Sequence, residues 1–453
     1  MRDRSEVGGA RRWRWRLDAL DRRILAIAVP ALGSLLVEPV YVLTDTAVVG
    51  RLGPEPLGGL ALASTVLNTL VWVFNFLSYG TTVRVAVRRG RGDLVGGASD
   101  ALQALWLALG IGLVVAAVVG LGASGLIGLL GDDPAVVEQG TTYLRVSALG
   151  VPFQLVTIAC IGYLYGLPDT RRPFIVLGIA TATNLAVELV LVFGMDWGIA
   201  GSAWGTVVAQ VLSATVLLAI VVPALRLDGL HRLRVVPSVM WAVVKVGGHL
   251  VHRTAFLLAT LAVATAAASR VGTAELGGHQ IAAQGFLFLA IGVDMFKVSG
   301  QALVGQALGA GRADEARDVV DHLYGWAWRA RALLPAPPLV AAPLLPPLFP
   351  DDGGVRAAAT LALVVLAVMQ LPAAVTFVLD GVLMGANDFA DLRWQTTLAF
   401  VVSLPVFVAV MARPSLGLLT IWLGMVVWVG ARALKNHLRV QGEAWMASTD
   451  SVG

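Results

Sequence analysis

Glu38, Tyr41 and Asp45 follow one another at steps of three and four residues within one apolar stretch, so they project from one helix face and can line one cavity. Asn184 and Glu188, four apart in another apolar stretch, share a face in the same way. Further along, Asp294 and Lys297 stand three apart, Asp380 lies in a stretch of its own, and His252 and Arg253 sit well inside theirs. An ionised side chain at the centre of a membrane span costs about 2.5–3.5 kcal/mol, so each of these residues is a candidate for function. Asp294 with Lys297 suits a neutralising pair as well as a substrate contact. Arg253 can balance Asp294 or Asp380, and His252 reads as a packing residue. Asp45 and Glu188 have no basic residue on their own stretches. A buried carboxyl without a counter-charge exchanges its proton near neutral pH, the behaviour a proton-coupling site requires.

Helices that cross a bilayer must position these residues. The 453 residues are 57% hydrophobic and 14% charged, against about 25% charged in a soluble globular domain. Twelve stretches are long enough to span the hydrocarbon core. They lie near 24–50, 57–83, 100–130, 138–166, 173–194, 198–223, 239–270, 276–304, 318–349, 355–386, 392–412 and 415–434. The expected fold is an all-α integral membrane protein of twelve transmembrane helices. In the ninth stretch, Pro335, Pro337, Pro338, Pro343, Pro346, Pro347 and Pro350 predict a bent or broken helix.

The first 23 residues are rich in arginine, and Arg12-Trp13-Arg14-Trp15-Arg16 suits an anionic membrane surface. No cleavable leader is expected, because the apolar run that follows is too long and lacks a small-residue cleavage site. Arginines follow the second, fourth, sixth and eighth spans (Arg84, Arg88, Arg89 and Arg91; Arg171 and Arg172; Arg226, Arg232 and Arg234; Arg312 and Arg317). Acids fill the opposite loops at Asp132, Asp133, Asp196, Asp351 and Asp352. Both termini are therefore expected in the cytoplasm of a multi-pass protein of the cell (inner or plasma) membrane. The formal charge of +4 belongs to these loops, which argues against nucleic-acid binding. Cys160 is the only cysteine, so neither an intramolecular disulfide nor a cysteine metal site is possible. Walker A, His-Glu-x-x-His and Gly-x-Ser-x-Gly motifs are missing, which argues against ATP-driven transport by this chain and against an enzyme. No metal site and no cofactor beyond a coupling ion is expected.

The chain also repeats itself. Arg51-Leu52-Gly53 with Leu57-Gly58-Gly59 recurs as Arg270-Val271-Gly272 with Leu276-Gly277-Gly278, 219 positions on. Gly162, Gly166 and Asp169 recur as Gly381, Gly385 and Asp388 at the same offset, and Gly90-Arg91-Gly92-Asp93 answers to Gly311-Arg312-Ala313-Asp314. Six spans is an even number, so both copies enter from one side, a parallel repeat of the kind that builds several secondary transporters. The organisation expected is a basic segment at 1–23, a first lobe at 24–223, a linker at 224–238, a second lobe at 239–435 and a cytoplasmic tail at 436–453.

With these features the chain resembles the multidrug and toxic compound extrusion (MATE) family, and within it the DinF branch. The resemblance is carried by Thr44-Asp45-Thr46-Ala47-Val48-Val49-Gly50-Arg51-Leu52-Gly53, His279-Gln280-Ile281-Ala282-Ala283-Gln284, the run from Gly300 to Gly311, and Leu379-Asp380-Gly381-Val382-Leu383-Met384-Gly385-Ala386. It implies a V-shaped pair of lobes that exchanges an organic, often cationic, compound for a proton or a sodium ion by alternating access. It implies a coupling site at Asp45, Tyr41, Asn184, Glu188 and Thr206, with Glu188 standing where the family pattern has aspartate. That longer side chain suits a proton better than a tightly built sodium cage. Asp294 and Asp380 match second-lobe acids near the family's substrate path, and with Glu38 and Arg253 they complete the expected substrate cavity. Span one is expected to bend at Pro30 when Asp45 is protonated. The partners expected are small organic substrates and the lipid bilayer, for a monomer. The alternative, a flippase for lipid-linked oligosaccharides from the same superfamily, requires a basic cavity to hold a pyrophosphate.

Overall fold

The computed structural model describes residues 17–230, 234–345 and 353–447. The Arg12–Arg16 motif, Arg232, the prolines at 346, 347 and 350, and Asp351 and Asp352 lie outside them. The first half forms α1 (Ala19–Val49), α2 (Pro54–Phe74), α3 (Phe76–Gly90), α4 (Leu94–Gly128), α5 (Pro134–Ala148), α6 (Val151–Gly166), α7 (Arg171–Leu189) and α8 (Gly198–Leu227). The second half forms α9 (Pro237–Val271), α10 (Thr273–Gly309), α11 (Ala313–Leu333), α12 (Ala336–Leu344), α13 (Gly353–Gly385), α14 (Phe389–Ala412) and α15 (Gly417–Gln441). No strand occurs among the described residues.

Among the described residues ten helical stretches are long and apolar enough to cross a bilayer, and an eleventh is formed by α5 and α6, bent by 52°. The place of span nine is taken by α11 and α12. Here α11 is too polar to count, carrying Asp314, Glu315, Arg317, Asp318, Asp321, His322, Arg329 and Arg331, and Pro335 separates it from α12. Span two is likewise two helices, α2 and α3, which break at Asn75. α1 is helical through both Pro30 and Pro39.

Several helices run a turn or more past their apolar stretch. Arg84, Arg88 and Arg89, read from hydropathy as loop residues, belong to α3. Arg84 is buried against Asp100 of α4 at 2.9 Å, and Arg88 reaches Asp100 at 3.2 Å and Asp93 at 2.5 Å. Backbone hydrogen bonding carries on wherever a partner neutralises the charge, and hydropathy does not register that. α15 similarly runs on to Gln441, past the expected start of the tail, and Trp445 beyond it is buried.

The duplication is visible in three dimensions. A methyl group on Gly162 would lie 2.9 Å from Ser78 Cα, and one on Gly381 would lie 2.5 Å from Lys297 Cα. Both members of the second pair are 219 positions beyond those of the first. Gly59 against Gly140 and Gly278 against Ala359 obey the same rule. Each lobe is therefore closed by helices that touch backbone to backbone, as small residues in membrane helices allow.

The core joins the lobes at one end only. A single apolar cluster links Ile24, Leu77, Leu102, Leu164 and Leu225 of the first half to Val304, Leu323, Leu379 and Leu392 of the second. All of these lie toward the face that carries the arginine-rich loops, called here the basic face. Toward the far face there are two separate clusters, one around Leu60, Ile127 and Tyr143, the other around Phe286, Phe407 and Trp422. The lobes thus meet at the basic face and have independent cores at the other.

The meeting is tight where α3 crosses α10: a methyl group on Gly90 would fall 2.2 Å from the Gln306 carbonyl oxygen, and one on Gly309 2.1 Å from that of Val87. Gly309→Val is expected to force these backbones apart and to cost about 1–3 kcal/mol by overpacking. Gly292→Ala on the same helix meets nothing within 4 Å and serves as the control. Thermal unfolding in detergent reads the difference, and equal midpoints for the two variants would show that the seam yields without strain.

Candidate functional site

Inside the first lobe lies a cavity of about 290 Å³. From α1 it is lined by Ser34, Glu38, Tyr41 and Asp45, so the three- and four-residue spacing does place the ionisable face of that helix toward one space. α3 contributes Tyr79, α5 Tyr143, α6 Gln154 and Tyr165, and α8 Thr206 and Gln210, with Asn75 at the break between α2 and α3. Only Lys297 and Val298, on α10, come from the second lobe.

Asp45 is buried and accepts two hydroxyl hydrogen bonds, from Tyr143 at 3.0 Å and from Ser202. Thr206 donates to the Ser202 carbonyl at 3.3 Å, which leaves its oxygen to accept from the Tyr41 hydroxyl at 2.6 Å. The Tyr143 hydroxyl also lies 3.5 Å from that of Thr206, so four hydroxyls cluster beside the carboxylate at the cavity wall. Asn184 and Glu188 are fully buried behind the lining. Both Glu188 oxygens and both polar atoms of Asn184 lack a hydrogen-bond partner among the described residues. Gly205 of α8 lets α7 approach at that level, since a methyl group there would lie 3.1 Å from Glu188 Cβ. One turn further on, Val190–Gly194 form a π-helical turn, a local distortion often found at functional sites. Glu188 packs against Gly205 and Asp45 accepts from Ser202, three residues earlier on α8, so the two carboxyls face the same stretch of that helix. Two carboxylates buried against one helix segment cannot both stay ionised cheaply, and a proton on either relieves the repulsion.

Tyr143 and Ser202, the two residues that donate directly to Asp45, were not anticipated. Ser202 lies one turn before Thr206 on α8, a spacing that could have pointed to it. Tyr143 carries no such signal, because only the fold brings α5 against α1.

The second-lobe residues expected at the cavity lie elsewhere. Asp380, fully buried on α13, accepts from Arg253 Nη2 at 2.5 Å, Arg432 Nη2 at 2.7 Å, Asn436 Nδ2 at 2.8 Å and Gln395 Nε2 at 3.2 Å. Arg432 also sits over the Trp428 and Phe377 rings. Neither Asp380 nor Arg253 lines the cavity. Asp294 does not line it either; it pairs with Lys297 at 2.6 Å, while Lys297 also donates to the Tyr79 hydroxyl at 3.3 Å across the lobe boundary. His252 bonds Thr397 at 2.9 Å. Arg432 lies inside the twelfth stretch with no spacing that singles it out, and only the fold brings it to Asp380.

The repeat explains why this cavity lies in the first lobe. At the positions 219 beyond Asp45, Tyr143, Glu188, Ser202 and Thr206 stand Ala264, Ala362, Phe407, Ile421 and Met425, all packed in the second lobe's core. Conversely, where the second lobe places Arg253, Asp380 and Arg432, the first has Ser34, Ile161 and Ser213, all of which line the cavity. One copy keeps small side chains and a titratable pair; the other fills the same space with an ionic cluster.

Two helical lobes of common design, one enclosing a cavity lined by a few ionisable side chains, are the architecture of a membrane transporter. The chain belongs to the MatE family, whose model matches residues 30–190 and 253–411. It is 26% identical to Protein DETOXIFICATION 44, chloroplastic, of Arabidopsis thaliana over 92% of this chain and 81% of that one. It is 25% identical to the DNA damage-inducible protein F of Escherichia coli over 96% and 95%. Its fold superposes with a TM-score of 0.84 on a multidrug resistance MATE family transporter of the MOP superfamily solved in an outward-facing conformation, at 18% identity and covering 95% and 97% of the two chains.

Proposed function

We propose that the chain is a secondary active antiporter that exports organic, often cationic, compounds in exchange for protons. The observation that carries this reading is Asp45 at the wall of the first-lobe cavity with Glu188 buried behind it. The cavity presents two acids, Glu38 and Asp45, and the rings of Tyr41, Tyr79, Tyr143 and Tyr165, which attract a cation through their faces. Its only basic lining residue, Lys297, is already neutralised by Asp294. That favours a cationic substrate over the pyrophosphate a flippase would hold.

In this mechanism Asp45, Glu188 and the hydroxyls of Tyr41, Tyr143, Ser202 and Thr206 bind the coupling proton, and Asn184 supports Glu188. Proton uptake removes the charge at the cavity wall. α1 then bends at Pro30, the lining repacks and the exported cation is released. Sodium is the other candidate ion, but Glu188 stands where the family pattern has aspartate, and its longer side chain suits a proton better than a tightly built cation cage. We further assign the basic face and both termini to the cytoplasm by the positive-inside rule, in the cell membrane, with the protein working as a monomer. The joined cores then close the cytoplasmic side, and the structure represents the outward-open state.

Reconstituted vesicles loaded with a fluorescent lipophilic cation are expected to lose it under an imposed pH gradient and to retain it under an imposed sodium gradient. Efflux driven by sodium alone would overturn the ion assignment, and loss under neither gradient would overturn the antiport reading.

A further inference from the structure

At the basic face the start of α1 meets α11, bringing the first lobe against the second outside the apolar part of α1, which begins at Ile24. Asp18 caps α1: its Oδ1 accepts from the backbone N–H groups of Leu20 at 2.9 Å and Asp21 at 2.8 Å. Its Oδ2 lies 2.7 Å from Nε2 of His322 on α11. The other imidazole nitrogen, Nδ1, lies 2.7 Å from the backbone oxygen of Asp318. Beside them Trp326 donates to Asp21 at 2.9 Å, Arg329 stands 3.8 Å from the same carboxylate and stacks on Trp326, and Arg23 faces Glu315 at 3.7 Å.

The imidazole's two partners decide its protonation. A carbonyl oxygen only accepts, and the Asp21 N–H and His322 hold the Asp18 carboxyl below its usual range, so it too accepts. A neutral imidazole donates through one nitrogen, which would leave the other contact lone pair against lone pair. One further proton satisfies both bonds, whichever side of the 2.7 Å contact carries it. The ligand atoms of Asp18, Asp21 and His322 lie within 4.8 Å of one another, but Asp21 is already engaged by Trp326 and Arg329 brings a positive charge to it. The group is built for a proton rather than a metal ion.

We propose that Asp18 and His322 form a proton-held latch between the lobes, so that closing the basic face takes up one proton that is distinct from the coupling proton at Asp45. Charged neighbours on both elements have fixed partners or flank the pair: Asp21 and Arg23 on α1, Glu315, Asp318, Asp321 and Arg329 on α11. The nearby tail and α15 contribute Glu443, bonded to Arg317, and His437, bonded to Tyr324. The sign follows from linkage. Closure binds a proton, so the closed state is favoured below the free imidazole value of about 6.5 and is lost as the pH at this face rises above it. The closed-to-open ratio falls by up to about tenfold per pH unit. An alkaline cytoplasm would thus release the gate that admits substrate.

The inference rests on the alternating-access reading in requiring this face to open, and it is independent of which ion drives export. The test uses the full chain in nanodiscs with Cys160→Ala and spin labels at Leu94→Cys and Leu438→Cys, exposed positions on the two lobes at this face. Interlabel distances are measured between pH 6 and 9. The closed fraction is expected to fall with rising pH, to become independent of pH in His322→Gln, and to stay high throughout in His322→Arg, whose guanidinium keeps its charge. The same fall is expected in Asp45→Asn. An unchanged response in His322→Gln, or a response abolished by Asp45→Asn, would overturn the latch. So would a closed distance that persists at every pH; if tetraphenylphosphonium also failed to open the face, alternating access would fall with it.

Discussion

Replacing Asp45 with asparagine is expected to abolish substrate-driven proton release in proteoliposomes while leaving the protein folded and able to bind a lipophilic cation. The amide keeps an oxygen to accept from Tyr143 or Ser202, so little packing is lost. What disappears is the group that exchanges a charge for a proton at the cavity wall. Coupling is reciprocal: if protonation weakens substrate binding, bound substrate weakens proton binding by the same factor, usually about 5- to 150-fold. In the native protein, substrate affinity should fall by a factor of that order as pH drops. In Asp45→Asn the dependence should flatten. Isothermal titration in two buffers of different ionisation enthalpy measures the released proton directly, and release at native amplitude in the variant would sink the assignment. Glu188→Gln is expected to weaken release less completely, because Asp45 retains its two hydroxyl donors.

Asp380→Asn is expected to do the opposite, damaging the fold before the transport step. The carboxylate is buried between two guanidiniums and two side-chain amides. Removing its charge leaves Arg253 and Arg432 uncompensated in a dry interior, a loss of about 3–5 kcal/mol for a broken buried pair. The melting temperature in detergent should drop clearly, with reduced membrane expression, whereas Asp45→Asn should melt close to the native protein. If Asp380→Asn melted normally and lost only substrate affinity, the ionic cluster would be part of the substrate path after all.

These contrasting expectations come from residues that look alike in the chain. Asp45 and Asp380 are both aspartates deep in apolar stretches, and residue type and hydropathy do not separate them. The difference lies in what faces them across helices: hydroxyls from α5 and α8 in one case, guanidiniums from α9 and α15 in the other. Arg253 was legible as a balancing charge for either Asp294 or Asp380, and Asp294 with Lys297 by spacing. Arg432 was not, because no spacing within its own stretch relates it to an acid. Tyr143 escaped for a related reason: tyrosine is ordinary in a membrane helix, and only contact with Asp45 makes it functional.

The order of the spans, their approximate number and the parallel repeat could be read without coordinates, because bilayer thickness fixes helix length and because glycines that permit backbone contact recur at one offset. So could the face carrying Glu38, Tyr41 and Asp45, since helical periodicity is local. Local chemistry is silent on which of two equivalent lobes holds the cavity, and on the pairing of Asp18 with His322 some three hundred residues away. Those depend on side chains from distant segments competing for the same space. In the second lobe Phe407, Met425 and the arginine cluster win it, and in the first small residues leave it open beside Asp45.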